Sequence, residues 1–576
     1  MQWFPSLYAA PTGWELLGRV SSGNIANPSV VDSNHTIQIG ECLMIRASFA
    51  AATTIAATIA ASISGGQPAF GQDESDQRLG RVHFETSCNE VAQRRFDRGM
   101  RYQHSFWYRE SKAIFEEVLN ADSECAIAYW GIALSLLYNP HAPPPPENLP
   151  LGLAALQKGK ALGAKTQRER DYIDALLVFY TDYDKIDHRT RVQAYLKAME
   201  SLAERYASDD EAQIEYAITL NVAASPTDKT YANQLKGAAI LEAIFKRQPH
   251  HPGVAHYLIH LYDYPPIAEK GLDAAKRYAQ IAPAAPHAQH MPSHIFTRVG
   301  YWKESIASNI ASARAAKTGK EWDDGMHGMD YLVYAHLQLG QDKEARAVVE
   351  EMLATEGYKA FPGFYARAAS QARYVIERGD WNGAADLQVR PSPIAYADAV
   401  THFARALGAA RSGHPEAAKA DIAKLAELSD KLREAKDAYW SGIVDIQGEV
   451  ATAWSLYAEG KYAESLAAMS AASDREDKTE KHPVTPGPLA PARELYGAML
   501  LDRGMAREAL AAFEATLKKE PNRLGATLGA GAAAEKLGDS AKAREHYTTA
   551  VALTENADPV RPHIAQAREF VARSAR

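Results

Sequence analysis

Histidines are the residues of this chain whose spacing could do chemistry. The stretch HAQHMPSHIF sets His287, His290 and His294 within eight residues, and upstream HYLIH sets His256 and His260 four apart. Farther on, His327, Asp330 and Tyr334 repeat the spacings of three and seven, and Asp263 follows His260 by three. Such spacings put side chains on one face of a helix. Neutral imidazole suits Zn, Cu, Fe or Ni, and spacing alone does not choose among them. His256, His260, His287, His290, His294 and His327 are therefore the candidate metal ligands, with Asp263, Asp330 and Tyr334 as groups that would hold or assist a ligand. An acidic organic ligand held by hydrogen bonds is the competing use, and separate packed or solvated histidines are the plain alternative. Ligation needs neutral imidazole, so metal affinity is expected to fall below about pH 6.5. Pro292 either kinks a helix carrying all three downstream histidines, or marks its start and leaves His287 and His290 in a loop.

A repeated helical scaffold must position these groups. LLDRGMAREALAAFEATLKKEP and AEKLGDSAKAREHYTTAVAL align Gly504 with Gly538, an alanine five residues on (Ala509, Ala543) and an aromatic nine residues on (Phe513, Tyr547). Gly497 and Gly531 stand seven residues before each turn glycine. Small residues there let two antiparallel helices approach, and the aromatic fills the gap to the next pair. The pattern resembles the tetratricopeptide repeat and recurs through most of residues 88–555. The expectation is an all-α solenoid of helix–turn–helix repeats. In that family the second, fifth and ninth residues of each first helix face a concave surface. Counting back from Gly300 and Gly340 puts His287, His290, His294 and then His327, Asp330, Tyr334 at those places. His104 and Trp107 end an earlier first helix and border the groove, and Glu494 counts to the same face, as groove ligand or as half of a salt bridge. His141 and His482 lie in proline-rich connections and read as solvated. Cys88 and Cys125 precede the first helices of successive repeats, so they should lie close together and form a disulfide, two buried free thiols being the alternative.

The chain has 576 residues, 46% hydrophobic and 23% charged, with a formal net charge of −8 and no long basic run. A phosphate grip needs clustered Lys and Arg, so nucleic acid is not expected as a partner. From Met44, MIRASFAAATTIAATIAASISGGQPAFGQ has the charged start, apolar run and small-residue end of a secretory signal. The chain thus reads as an over-extended start or disordered leader (1–43), a signal (44–71), an N-terminal array with the His-lined groove (72–385) and C-terminal repeats (386–576). Export, to the periplasm, is expected, with no stable membrane span after cleavage near Gln72.

At DSECAIAYWGIALSLLYNP, HYLIHLYDYP, HMPSHIF and PGPLAPARELYGAMLLDRG the chain is similar to a group of exported bacterial tetratricopeptide proteins. The resemblance implies fold and export but no activity. Catalytic signatures fail: HYLIH has Tyr257 where a zinc peptidase needs Glu, and GAGAAA (529–534) has no preceding strand. Two functions remain. One is an exported scaffold whose concave groove binds a peptide, protein or small ligand, with or without a metal. The other is an enzyme with the histidines as metal ligands.

Overall fold

The computed structural model describes residues 78–559 and 561–574; the proposed start at Met44, the signal and its cleavage point lie outside them. Among the described residues there are helices and no strands. Successive helices form antiparallel pairs of the tetratricopeptide type. Ala492–Asp502 turns back into Ala506–Lys519, and Leu524–Lys536 into Ser540–Leu553. Gly504 and Gly538 make the turns at φ +74° and +75°, a conformation glycine enters without steric penalty.

The aromatics sit where the repeat pattern puts them. Phe513 is buried so closely between two helices that a Cβ on Gly529 would come within 2.5 Å of its ring, and one on Gly531 within 2.6 Å of Tyr547. Phe115 makes the same wedge between Gly99 and Gly131. Each such ring contributes roughly 1.5–3 kcal/mol through burial.

Two of the helices carrying the histidines, Pro252–Tyr262 and Pro292–Arg298, are wholly enclosed. Every residue of Pro252–Tyr262 is buried. A helix apolar and covered all round needs neighbours on every side. Here they are the helices Ala232–Arg247, Leu272–Ile281, Asp210–Ala223 and, from the first repeat, Glu90–His104. The C-terminal repeats also return onto the middle of the array. Trp302 Nε1 donates to the Asn522 carbonyl at 2.9 Å, Leu524 N to Gln338 Oε1 at 2.9 Å, and Asp558 N to the Gly340 carbonyl at 3.0 Å.

These returns change the expected open groove. The connection 478–491 threads between the first helices. Tyr331 OH donates to the carbonyls of Pro483 and Thr485 at 3.0 and 3.1 Å, and Arg373 to those of Gly487 and Pro488 at 2.9 and 3.1 Å. The face predicted to be concave and open is therefore covered by the chain's own backbone. Among the described residues no helix is long and apolar enough to cross a membrane.

Cys88 and Cys125 are bonded, with Cα atoms 5.1 Å apart and 37 residues between them. They stand just before Glu90–His104 and Ile127–Leu136, the first helices of neighbouring pairs. Closing a loop of this length constrains the unfolded chain by about 4 kcal/mol, less any native strain. Cys88→Ser is therefore expected to lower the urea midpoint of the N-terminal repeats. Reductant should produce the same shift in the wild type and none in the variant.

Candidate metal centre

The six histidines come from three successive first helices. Pro252–Tyr262 starts on His251, whose Nδ1 accepts from Val254 N at 3.3 Å, and presents His256 and His260 one turn apart. The next first helix is broken into Pro286–His290 and Pro292–Arg298, with Met291 helical at φ −52° and ψ −36°. His287 and His290 are thus helical rather than in a loop. His327 lies on Trp322–Gln338.

The geometry sorts them into two triads. His256 Nε2 is 3.1 Å from both His260 Nε2 and His287 Nε2. His290 Nε2 is 3.0 Å from His294 Nε2, and the His327 ring centre is 4.3 Å from that of His290. Within each triad one nitrogen per residue lies within 4.8 Å of the others. Two nitrogens about 2.0–2.1 Å from one tetrahedral ion are about 3.4 Å apart, so small side-chain shifts suffice for shared coordination.

Second partners fix which nitrogen is bare. His256 Nδ1 is 2.7 Å from the His104 carbonyl oxygen, which only accepts, so the proton sits on Nδ1. His290 Nδ1 lies 2.7 Å from Asn309 Oδ1, and Asn309 Nδ2 donates to the Ser305 carbonyl, orienting the amide. His294 Nδ1 lies 3.0 Å from Asp263 Oδ2. His290 and His294 therefore point two lone pairs at each other. That contact is repulsive unless a cation lies between them. Carboxylate, carbonyl or amide oxygens behind the ligating imidazole are the usual support of a metal site. His327 Nδ1, buried with no partner, is a further free donor atom.

Burial keeps the set neutral. It pushes His256 down to about 3 and holds His260, His287, His290 and His327 well below the ordinary histidine range, each helped by neighbouring imidazoles. His294 is also lowered by burial, with the Asp263 hydrogen bond opposing. Proton competition thus sets in lower than the pH of about 6.5 expected from free histidine. Asp263 is pushed up by burial but held well below its usual range by Lys481, Arg298 and His294. Arg298 Nε and Lys481 Nζ lie 2.8 and 3.1 Å from its oxygens.

A third cluster, His104, Glu211 and His251, does not behave this way. Glu211 accepts from His104 Nε2 at 3.0 Å and His251 Nε2 at 2.8 Å, while Tyr257 OH donates to His104 Nδ1 at 3.1 Å. With Val254 N on His251 Nδ1, every ring nitrogen is matched. His104 accordingly serves the centre through its carbonyl, not as a groove ligand.

Three other expected site residues lie elsewhere. Asp330 pairs with Arg373 at 3.1 Å, and its other oxygen has no partner. Tyr334 lies 3.1 Å from Glu520 and 2.9 Å from Arg523, and Arg523 also holds Glu494 at 2.7 Å and Glu377 at 2.8 Å. These groups fasten the C-terminal repeats to Trp322–Gln338 and do not face the histidines. Conversely, His141 and His482 are not free in solvent: both are partly buried, and the His141 ring centre lies 4.4 Å from that of His260. Phe106 also belongs to the centre, packed on His256, His260 and His287 at centroid distances of 4.3, 5.6 and 5.0 Å. The proline-rich connections that carry His141 and His482 pointed to solvent instead, and nothing in the sequence marked Phe106.

A cavity of about 60 Å³ is walled by His260 and His287 of one triad, His294 and His327 of the other, and by His141, His482 and Asp324. On the far side of Phe106 a second, mainly apolar cavity of about 70 Å³ has the Glu215 carboxyl on its wall.

No family model and no curated protein matches the sequence. Among solved structures, the chain is similar to the P58(IPK) TPR domain (11% identity, TM-score 0.19, 84% of this chain and 99% of that one). It is also similar to yeast Tom70 (11%, 0.27, 84% and 96%) and to the human IFIT1 dimer with m7Gppp-AAAA (11%, 0.30, 74% and 90%). Likeness this weak carries neither activity nor partner across to this chain.

Burial, with Glu211 nearby, pushes Glu215 up to about 8. An acid raised above its unfolded value keeps its proton only in the fold, so rising pH between the two values destabilises the fold. Glu215→Gln removes that titration. Its stability relative to wild type should grow from about pH 5 to about pH 8, by at most about 1.4 kcal/mol per pH unit, and be constant above. Chemical unfolding across that range measures the effect.

Proposed function

We propose that this protein is an exported metalloprotein whose helical repeats hold two transition-metal ions, each on three imidazole nitrogens. His256, His260 and His287 hold one ion; His290, His294 and His327 hold the other. The observation that carries this reading is the 3.0 Å approach of His290 Nε2 to His294 Nε2 when both protons are engaged at Nδ1 by Asn309 and Asp263. Three protein nitrogens with a position left open is the donor count of a reactive metal rather than a closed structural one. The adaptor reading is less well supported, because the face that would receive a peptide is occupied by 478–491. The partner we infer is instead a small molecule reaching the cavity between the triads. The Cys88–Cys125 bond supports an oxidising compartment, the periplasm on the resemblance noted above.

Elemental analysis of protein purified from its native compartment is expected to give two transition-metal ions per chain. His290→Gln with His294→Gln, which keeps side-chain volume, should leave one ion, as should His256→Gln with His260→Gln. Helical circular dichroism should be unchanged in both, since the ligands are not the apolar seams between repeats. Metal-free wild type, or loss of both ions together with the helical signal in each variant, would count against the two-site centre.

A further inference from the structure

Resting on that reading, we propose that the two ions are copper and that the cavity between the triads binds dioxygen across the pair. The argument starts from charge. The candidate ligands are six neutral imidazoles, with no thiolate or carboxylate among them. The carboxylate behind His294, Asp263, is already matched by two buried cations, Arg298 at 2.8 Å and Lys481 at 3.1 Å. Two divalent ions would add four positive charges to this interior, where uncompensated charge is strongly disfavoured. Two cuprous ions add half as many, and imidazole is a donor suited to copper.

Oxygen binding then leaves the charge unchanged. Each Cu(I) gives one electron, becoming Cu(II). Dioxygen takes both, becoming peroxide bound between the two ions, and no proton is needed. The pair carries two positive charges before, and pair plus peroxide carries two after. Among the described residues, this avoids calling on a further carboxylate; Asp324 is the one carboxyl on the cavity wall.

The placement of the triads allows a bridging ligand. His260 and His287 from one, and His294 and His327 from the other, wall the same cavity of about 60 Å³. A water needs about 10–15 Å³ on that measure, so a diatomic molecule fits with room to spare. The triads adjoin, with ring centres 6.2 Å apart for His260 and His294 and 6.3 Å for His287 and His290. Phe106 packs on three ligands of the first triad, and Met291, Phe361 and Val484 give the cavity its apolar wall.

The test is to load the metal-free protein with Cu(I) under anaerobic conditions and then admit oxygen. The expected result is uptake of one dioxygen per two coppers, a new near-ultraviolet charge-transfer absorption, and no cupric electron-paramagnetic resonance, because the two Cu(II) spins couple through the bridge. The His290→Gln, His294→Gln protein, with one copper left, should lose the uptake wholly rather than by half. Two coppers bound without oxygen uptake, or oxidised to separately visible Cu(II), would overturn the dioxygen proposal and leave the metal sites standing. Uptake merely halved in the variant would overturn the bridge. Failure of the wild type to bind copper while it takes up two zinc ions would overturn the choice of copper. Failure to bind any metal would instead sink the reading beneath it.

Discussion

Where the imidazole protons sit is the constraint on which the centre depends. A neutral imidazole has one N–H and one lone pair, and the surroundings decide which nitrogen has which. Here a backbone carbonyl, an amide oxygen and a carboxylate take the Nδ1 protons of His256, His290 and His294, which turns their Nε2 lone pairs inward. The contrast with His104, Glu211 and His251 is instructive. Those rings are equally buried and as close to a carboxylate, yet every nitrogen there has a matched partner. Proximity gives three clusters; accounting for protons sets the His290–His294 pair apart from the matched third cluster and leaves one bare nitrogen, His256 Nε2, in the first triad.

Holding unmatched lone pairs together needs a rigid frame, and the repeat supplies it. Each first helix packs beside the next, so residues at equivalent places in three repeats arrive at one location although they are far apart in sequence. A tetratricopeptide array usually leaves that location open to a partner. In this chain the returning contacts of Trp302, Gln338 and Gly340 with the C-terminal repeats, and the backbone of 478–491, close it. Burial follows, and burial keeps the imidazoles neutral at ordinary pH. Arg373, Arg523 and their carboxylate partners belong to this closure. That explains why Asp330, Tyr334 and Glu494 carry correct repeat positions and yet do no work at the histidines.

The repeat was legible because its signals are local: a turn glycine, a small residue and an aromatic at fixed offsets, all confirmed by the wedges at Phe513 and Tyr547. The disulfide was legible for the same reason, since register alone places Cys88 beside Cys125. Counting positions brought His287, His290, His294 and His327 to one face, and spacing alone added His256 and His260. Their division into triads could not be counted, because it depends on the helix break at Met291 and on the rotation of each ring toward its second partner. The covering segment was illegible too. Nothing in KHPVTPGPLAP shows that its backbone carbonyls would be gripped by Tyr331 and Arg373, since that pairing spans more than a hundred residues. His141 and His482, which their proline-rich connections mark as solvated, are half-buried at the centre.

Phe106 shows what this enclosure demands of the backbone. It ends the Glu90–His104 helix in the left-handed region at φ 60°, a place where helices ordinarily put glycine. For a bulky residue that conformation costs on the order of 1 kcal/mol or more. Glycine would remove the strain but also the ring that covers His256, His260 and His287 on one side and walls the apolar cavity on the other. The backbone around it is pinned by Phe106 N donating to the Gln103 carbonyl at 3.1 Å and Trp107 N to the Tyr102 carbonyl at 3.0 Å. Two residues before Phe106, the His104 carbonyl receives the His256 proton. The same turn therefore sets the proton of one ligand and shields all three of its triad, and a strained aromatic is tolerated because the turn has both tasks at once.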